Sequence, residues 1–327
     1  MIKIAIDIMG GDKAPVSNIG GVVDFLNDFK GQAKIYLVGI REKVEEHLVT
    51  ISDSLLSDVE IIHAPEIISS NDSPSRIVKN KPNSSMIKSI NLLRDGIVDA
   101  VVSAGNTGCL LSASFFNLGM IEGIKRPALF AIIPSINGDF LICDVGANSS
   151  AKPNHLLQFA QMSSIYMKHQ IKIDKPSVGL LNIGSEANKG SELTKIAYNL
   201  LSDKLDNFIG NIESRYIFDG KANIVLCDGF TGNIVLKLIE GVTHYHLELI
   251  SSKLDLTNNQ KIINMKKEYD YEEYGASPIL GIKGLVFKSH GSSSKIAIYN
   301  ALKTAHKACS INLLNKFKNL IKEEYVS

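Results

Sequence analysis

Cysteine is scarce in this chain and never closely paired. Cys109, Cys143, Cys227 and Cys309 stand far apart, so neither a disulfide framework nor a structural zinc site is expected, and the spacing reads as reduced, mostly buried thiols of a cytoplasmic protein. Charge of one sign is missing as well. Lys and Arg number 35 against 34 Asp and Glu, a formal net charge of +1, so no overall field draws the chain to nucleic acid or to an acidic membrane, and electrostatic docking must rest on local patches. No uninterrupted apolar run approaches the roughly 20 residues that span a bilayer. A soluble or at most peripheral protein is expected. Two catalytic signatures are absent too: there is no Gly-x-Gly-x-x-Gly behind a strand and no Gly-x-Ser-x-Gly elbow, and no histidine adjoins a cysteine to activate it.

What is present is enough apolar residue for a large core, 45% of 327 residues with 21% charged, as one big domain or two subdomains. The texture is even, without repeats or a low-complexity linker, which favours a single domain over 1–327. Apolar runs at Ile2 to Ile8, Ile35 to Val38, Ala100 to Val102, Ala128 to Ile133, Phe140 to Cys143, Val178 to Ile183 and Ile224 to Cys227 read as buried strands. With amphipathic stretches between them they predict a doubly wound, mostly parallel α/β sheet with helices on both faces. A helical hairpin is expected at about 239–274, with Ile239, Val242, Leu249 and Ile250 at helical spacing, a turn at Leu256-Thr257-Asn258-Asn259, and Ile262, Ile263 and Met265 opening the second arm. Another long helix is predicted from Ser292-Ser293-Ser294 through Ala301, Leu302, Ala305, Cys309 and Leu313 to Phe317, with His290 and Gly291 at its mouth.

Ligands of such sheets bind beyond the carboxyl ends of the strands. The residues there share a small, polar character: Asp7, Gly10, Gly11 and Asp12; Ser103-Ala-Gly105-Asn106-Thr107-Gly108; Asp144-Val-Gly146-Ala-Asn148; Gly184-Ser-Glu186; and Asp228-Gly-Phe-Thr231-Gly-Asn233. Together they suggest one polar cleft. The turn at Ser103 to Gly108 suits phosphate best, because glycine lets the backbone approach an anion while Ser103, Asn106, Thr107 and the first N–H groups of the following helix donate to it. Ser292 and Ser293 offer the same at the later helix mouth, and Lys189 is the candidate cation for phosphate or for an oxyanion. His290 is a structural loop histidine, a proton donor to a leaving group or a holder of phosphate. Asp7, Asp12, Asp144 and Asp228 read as loop organisers and helix caps, and His244 and His246, two apart on a helix, do not face one ion. No metal or other cofactor is called for. Arg76, Lys79, Lys81 and Lys88 form a basic run that is either solvated surface or a dock for an acidic partner.

In chain order, Ile6-Asp-Ile-Met-Gly-Gly-Asp12, Lys81-Pro-Asn-Ser-Ser-Met86, Ser103-Ala-Gly-Asn-Thr-Gly108, Asp144-Val-Gly-Ala-Asn148, Leu180-Leu-Asn-Ile-Gly184, Asp228-Gly-Phe-Thr-Gly-Asn233 and His290-Gly-Ser-Ser293 resemble the PlsX phosphate acyltransferases. The resemblance covers nearly the whole chain. It implies a fold like that of isocitrate and isopropylmalate dehydrogenases, and conversion of acyl-acyl-carrier-protein and inorganic phosphate to acyl phosphate for phospholipid synthesis. It further implies peripheral contact with a membrane and a downstream enzyme that passes the acyl group to glycerol 3-phosphate; the apolar hairpin faces that its own sheet cannot cover predict a homodimer. With it the candidate catalytic set is Lys189, His290 and Asn233; the phosphate set is Ser103, Gly105, Asn106, Thr107, Gly108, Ser292 and Ser293. Asp7, Gly10, Gly11, Asp12, Asp144, Asn148 and Asp228 organise loops, Arg76, Lys79, Lys81 and Lys88 dock the carrier, and Leu254, Leu256, Ile262 and Ile263 form the membrane tip of the hairpin. The chain departs from the family pattern at Gly275-Ala-Ser-Pro278, at Ser149 and Ser150, and in a shorter hairpin. A nicotinamide-dependent dehydrogenase and a non-catalytic binder of phosphorylated metabolites are the alternatives; cofactor binding would mark the first and absent turnover the second.

Overall fold

The computed structural model describes residues 1–48, 53–253, 259–260 and 274–326. The chain divides into two compact units, Met1–Pro127 with Tyr274–Ser327, and Ala128–Glu273. Nothing in the even texture of the sequence marks that division.

The first unit opens with β1 (Ile2–Asp7), α1 (Val16–Asp28), β2 (Ala33–Gly39), α2 (Arg41–Leu48), α3 (Asp53–Leu56), β3 (Val59–His63), α4 (Ile77–Asn80), α5 (Ser85–Arg94), β4 (Ala100–Ser103) and α6 (Thr107–Leu118). The second holds β5 (Phe130–Ile133), β6 (Phe140–Cys143), α7 (Pro153–Tyr166), β7 (Val178–Asn182), α8 (Glu192–Lys204), β8 (Phe208–Glu213), β9 (Ile224–Leu226) and α9 (Gly229–Lys253). The first then resumes with β10 (Ala276–Pro278), β11 (Leu285–Ser289), α10 (Lys295–Ser310) and α11 (Leu313–Val326). The architecture is the α/β one expected, built as two sheets.

In the first unit the strand order is β10-β11-β4-β1-β2-β3, parallel throughout except for β10. Ile4, Ala5 and Ile6 of β1 and Ala100, Val101 and Val102 of β4 are buried on both faces, which explains why these strands are apolar at consecutive positions. From β1 the chain crosses to β2 on one side, and after β3 it returns to place β4 on the other. Right-handed crossovers in opposite directions put the helices on opposite faces and leave a switch point between β1 and β4, at the carboxyl ends marked by Asp7 and Ser103. The second unit has the order β5-β6-β9-β7-β8, with only β5 antiparallel. Its core is formed by residues such as Phe140, Ile142, Leu181, Ile212 and Val225.

Four strands escape the apolar-run reading. β3 (Val-Glu-Ile-Ile-His), β8 (Phe-Ile-Gly-Asn-Ile-Glu) and β10 lie at sheet edges, where one-sided burial admits polar residues; β11 is interior, and its apolar run Leu285-Val-Phe287 is cut off by Lys288-Ser289. The helix expected from Ser292 through Phe317 is broken in two. Asn312 takes a left-handed conformation (φ 54°) and its N–H donates to the Cys309 carbonyl at 2.9 Å, the closing turn that asparagine tolerates at a helix end. The first arm of the hairpin starts well before Ile239, since α9 begins at Gly229. Thus Gly229 to Asn233, read as a loop, form its first turns. Leu254, Leu256, Ile262, Ile263 and most of the remaining hairpin lie outside the described residues. Among the described residues, no helix is long and apolar enough to cross a membrane.

Candidate active site

Three loops meet beyond the first unit's sheet. Asp7 ends β1 fully buried; its Oδ1 accepts from the Ser85 hydroxyl at 2.5 Å and its Oδ2 from the Ser103 hydroxyl at 2.7 Å. Burial holds this carboxyl above the usual range, while the hydroxyls and the backbone at Met9 and Gly10 pull the other way. Ser103 Oγ in turn accepts from the Gly105 N–H at 3.1 Å. The β1 and β4 loops approach so closely that a Cβ on Gly10 would lie 2.5 Å from Asp7 Oδ2 and 2.8 Å from the Gly105 nitrogen. Only glycine fits there. Buried Asn18 pins the first loop by donating to the carbonyls of Ile8 and Gly10, each at 2.9 Å. The third loop joins through Asp12, whose N–H donates to the Gly291 carbonyl at 2.7 Å.

Asn106 caps α6, accepting from the Cys109 N–H at 3.0 Å, and its amide NH₂ donates to the Ser70 carbonyl at 3.0 Å. Its side chain therefore holds the turn. Thr107 is exposed and Gly108 packs against Pro74. At the mouth of α10 the cap is Ser294, which accepts from the N–H groups of Ile296 and Ala297. Ser292 is instead paired with His290, Oγ to Nδ1 at 2.8 Å, and Ser293 is buried with its hydroxyl unpartnered.

The second unit gathers a separate set of loops. Asp144, fully buried, accepts four hydrogen bonds: Oδ1 from the N–H groups of Leu129 and Ala147, both at 3.0 Å, and Oδ2 from the Asn148 N–H at 2.8 Å and its side-chain amide at 2.9 Å. Burial raises this carboxyl too, against those donors. The start of α9 packs on this loop. A Cβ on Gly232 would overlap the Asp144 carbonyl, and one on Gly229 would meet the Asn148 carbonyl and the Asp144 carboxylate. Asp228 closes the first turn of α9, taking the N–H groups of Phe230 (3.1 Å) and Thr231 (3.0 Å) and the Thr231 hydroxyl (2.7 Å). Asn233 faces Gly146. Lys189 is exposed on a turn in which its N–H donates to the Glu186 carbonyl at 3.1 Å, and its stem lies against Gly184.

The basic run is only half free. Lys81 pairs with Asp72 at 2.7 Å, holding that carboxyl below its usual value, and Lys88 donates to the His63 carbonyl at 2.9 Å. Arg76 and Lys79 are exposed. Sequence reasoning missed Asn18 and Ser85, and above all Lys288. This lysine of β11 is register partner to Ser103 and donates to the Ser289 carbonyl. Burial pushes its ammonium down to about 8, with Asp7 and Asp12 acting in the opposite sense. The signal was a lone cation closing an apolar run, Leu285-Val-Phe287, just ahead of His290-Gly291.

The family described as "Fatty acid synthesis protein" matches residues 2–316. The chain belongs to this PlsX-type family. Relatives named phosphate acyltransferase include those of Clostridium perfringens, 40% identical over 98% of this chain and 97% of that one, and Halothermothrix orenii, 41% identical over 99% of each. Membership makes the chain an enzyme of acyl transfer to phosphate. Among solved structures, a phosphotransacetylase from Streptococcus pyogenes superposes with a TM-score of 0.60 over 94% of each chain at 17% identity. A putative 4-hydroxythreonine-4-phosphate dehydrogenase from Salmonella typhimurium follows at 0.51 over 94% and 99% of the two chains, with 13% identity. These likenesses show a shared fold, and the second does not restore the dehydrogenase reading.

Proposed function

We propose that the enzyme transfers the acyl group of an acyl-carrier-protein thioester to inorganic phosphate, yielding acyl phosphate and free carrier protein for phosphatidic acid synthesis. The observation that carries this is the donor-rich junction of the β1, β4 and β11 loops in a chain of this family. A phosphate oxygen attacks the carbonyl carbon, the C–O bond forms as the C–S bond breaks, and the sulfur leaves with the bonding pair. The proton of hydrogen phosphate ends on the carrier thiol. A thiol of pKa about 8.5 leaves with little acid help, so positioning and charge stabilisation carry most of the catalysis.

No protein nucleophile is needed, and the cysteines are unsuited to be one. Burial raises Cys143 and Cys227 well above an ordinary thiol and lifts Cys309 to about 12. On this reading the first N–H groups of α6 and the loop at Ser292 and Ser293 hold phosphate. Lys189 and Asn233 are the second unit's groups for stabilising developing charge, and His290 is the first unit's proton donor to the departing sulfur. Arg76 and Lys79 receive the acidic carrier. The face of α9 carrying Phe230, Ile234, Leu238, Val242 and Tyr245 is exposed along its length, and a second copy of the chain covers it in a homodimer. The leucines and lysines near residue 254 give the dimer peripheral contact with anionic lipid, and a glycerol 3-phosphate acyltransferase consumes the product.

The deciding experiment incubates the full chain with long-chain acyl carrier protein and phosphate and looks for acyl phosphate. Phosphate binding without turnover of any acyl thioester would leave a metabolite-binding regulator in its place. Sedimentation with liposomes, before and after Leu254→Glu with Leu256→Glu, tests the membrane contact.

A further inference from the structure

Lys288 reaches the phosphate junction from β11, beside the strand that ends in Ser103. Taking an ammonium out of water is costly, and proteins normally meet the cost with a carboxylate or with several acceptors. Neither is present here. The Lys288 ammonium donates to the Ser289 carbonyl, while Asp7 and Asp12 act on it only from a distance, without an ion pair among the described residues. An ammonium carries three donors, and among the described residues only the Ser289 carbonyl takes one of them.

A second, independent observation lies on the same loop. Ser293 is only 2% exposed, and its hydroxyl has no partner. It directly precedes Ser294, the cap of the 16-residue helix α10, whose N-terminus favours negative charge. The neighbouring carboxylate gives no relief, because Asp7 is already committed to Ser85 and Ser103. Gly291 keeps the loop low, its carbonyl taken by the Asp12 N–H at 2.7 Å. The junction therefore has a buried hydroxyl without a partner and, beside it, one half-buried positive charge. Its complement is a small anion with several acceptor oxygens.

We infer that Lys288 Nζ and Ser293 Oγ form a cationic clamp for inorganic phosphate at the end of β11, separate from the oxyanion role given to Lys189. The clamp rests on the reading that this enzyme uses phosphate, and it assigns the nucleophile to the first unit's own residues. A lysine that merely balanced Asp7 and Asp12 would affect folding and leave phosphate affinity alone.

The test is a calorimetric titration of the full chain with inorganic phosphate alone, followed by steady-state kinetics. Lys288→Met is expected to weaken phosphate binding by about tenfold to a hundredfold, the range for losing a charge-assisted contact. Its KM for phosphate should rise in parallel while its KM for the thioester holds, and Lys288→Arg should retain most of the affinity. Lys189→Ala should titrate like the unaltered enzyme. A folded Lys288→Met protein that binds phosphate normally would overturn the inference, as would an unaltered enzyme that takes up no phosphate. Should Lys288→Met fail to fold, Ser293→Ala decides: unchanged affinity refutes the clamp, and a loss of about fivefold or more upholds it. Phosphate binding without thioester turnover would instead defeat the acyl-transfer reading and leave the clamp standing.

Discussion

Asp7 and Asp144 occupy equivalent places in the two units, each a buried carboxylate at the end of a sheet strand, yet they are satisfied in opposite ways. Asp144 takes four donors, three of them backbone N–H groups: those of Ala147 and Asn148 on its own loop and that of Leu129 just ahead of β5. Asp7 takes two hydroxyls from residues distant in sequence, Ser85 and Ser103, beside the backbone at Met9 and Gly10. Backbone donors are fixed once the loop is folded, so Asp144 makes a rigid scaffold against which Gly229 and Gly232 of α9 are packed. Hydroxyls rotate. The Asp7 junction can redistribute its donors when an anion arrives, and it has Lys288 and Ser293 in reserve. The same strand-loop-helix plan thus yields a support in one unit and a binding surface in the other.

The strongest way to break this comparison is to remove each carboxylate. Asp144→Ala strands four donors at once, three of them buried, and should cost about 4 kcal/mol or more, a large part of a domain's stability. Asp7→Ala should cost about 1–2 kcal/mol, because the two hydroxyls can turn to other acceptors. Thermal unfolding of both variants is the measurement, and equal losses would show that the two sites are built alike. A smaller effect is expected from the exposed turn of the second unit. Lys189→Ala should lower kcat by about a hundredfold if it stabilises charge developing on the carbonyl oxygen, with phosphate affinity intact. Near-normal turnover would return Lys189 to the solvent.

How far the sequence showed these differences depends on whether they are local. The strands with consecutive apolar residues were legible, and so were the loops behind them, because both follow from burial on two faces and from glycine's freedom in a crowded turn. The division into units was not, since contacts between distant segments draw it and no change in composition accompanies it. Asp228 reads as a cap from its neighbours alone. Asp7 does not show its partners, because Ser85 and Ser103 reach it only through the sheet order. Lys288 was hidden for the same reason: β11 became a strand beside β4 only in the folded chain. The break at Asn312 was a local signal, an asparagine able to take the left-handed turn, overridden in the reading by apolar spacing that continues to Phe317.

The comparison can be sharpened within the first unit by separating donors that hold a loop from donors that hold a ligand. Thr107 is exposed at the start of α6, and Ser292 is paired with His290. Thr107→Val and Ser292→Ala should each raise the KM for phosphate by about fivefold, the value of one neutral hydrogen bond in a site that keeps its backbone groups. The fold should be unaffected. If the KM for the acyl carrier moved instead, these turns would serve the thioester.

The smallest effect concerns pH and the state of Lys288. Its native ammonium titrates near 8, while the unfolded chain holds the proton up to the ordinary 10.5. Below pH 8 both states are protonated, and the native protein bears the cost of the half-buried charge. Between these values the native state sheds its proton while the unfolded state keeps it, so stability must rise with pH. The gain from pH 7 to pH 9 is about 1 kcal/mol. Asp7 and Asp12, the charged groups acting on this lysine, are carboxylates, and even with the raised value of Asp7 they oppose the shift rather than cause it. Urea unfolding of the unaltered enzyme and of Lys288→Met across that range isolates the contribution, since the variant has no ammonium to discharge. Added phosphate should flatten the rise, because an anion on Lys288 returns the native proton affinity toward the unfolded one. Parallel curves for the two proteins would mean that Lys288 is solvated, and the first unit would then lack the half-buried cation that sets its junction apart.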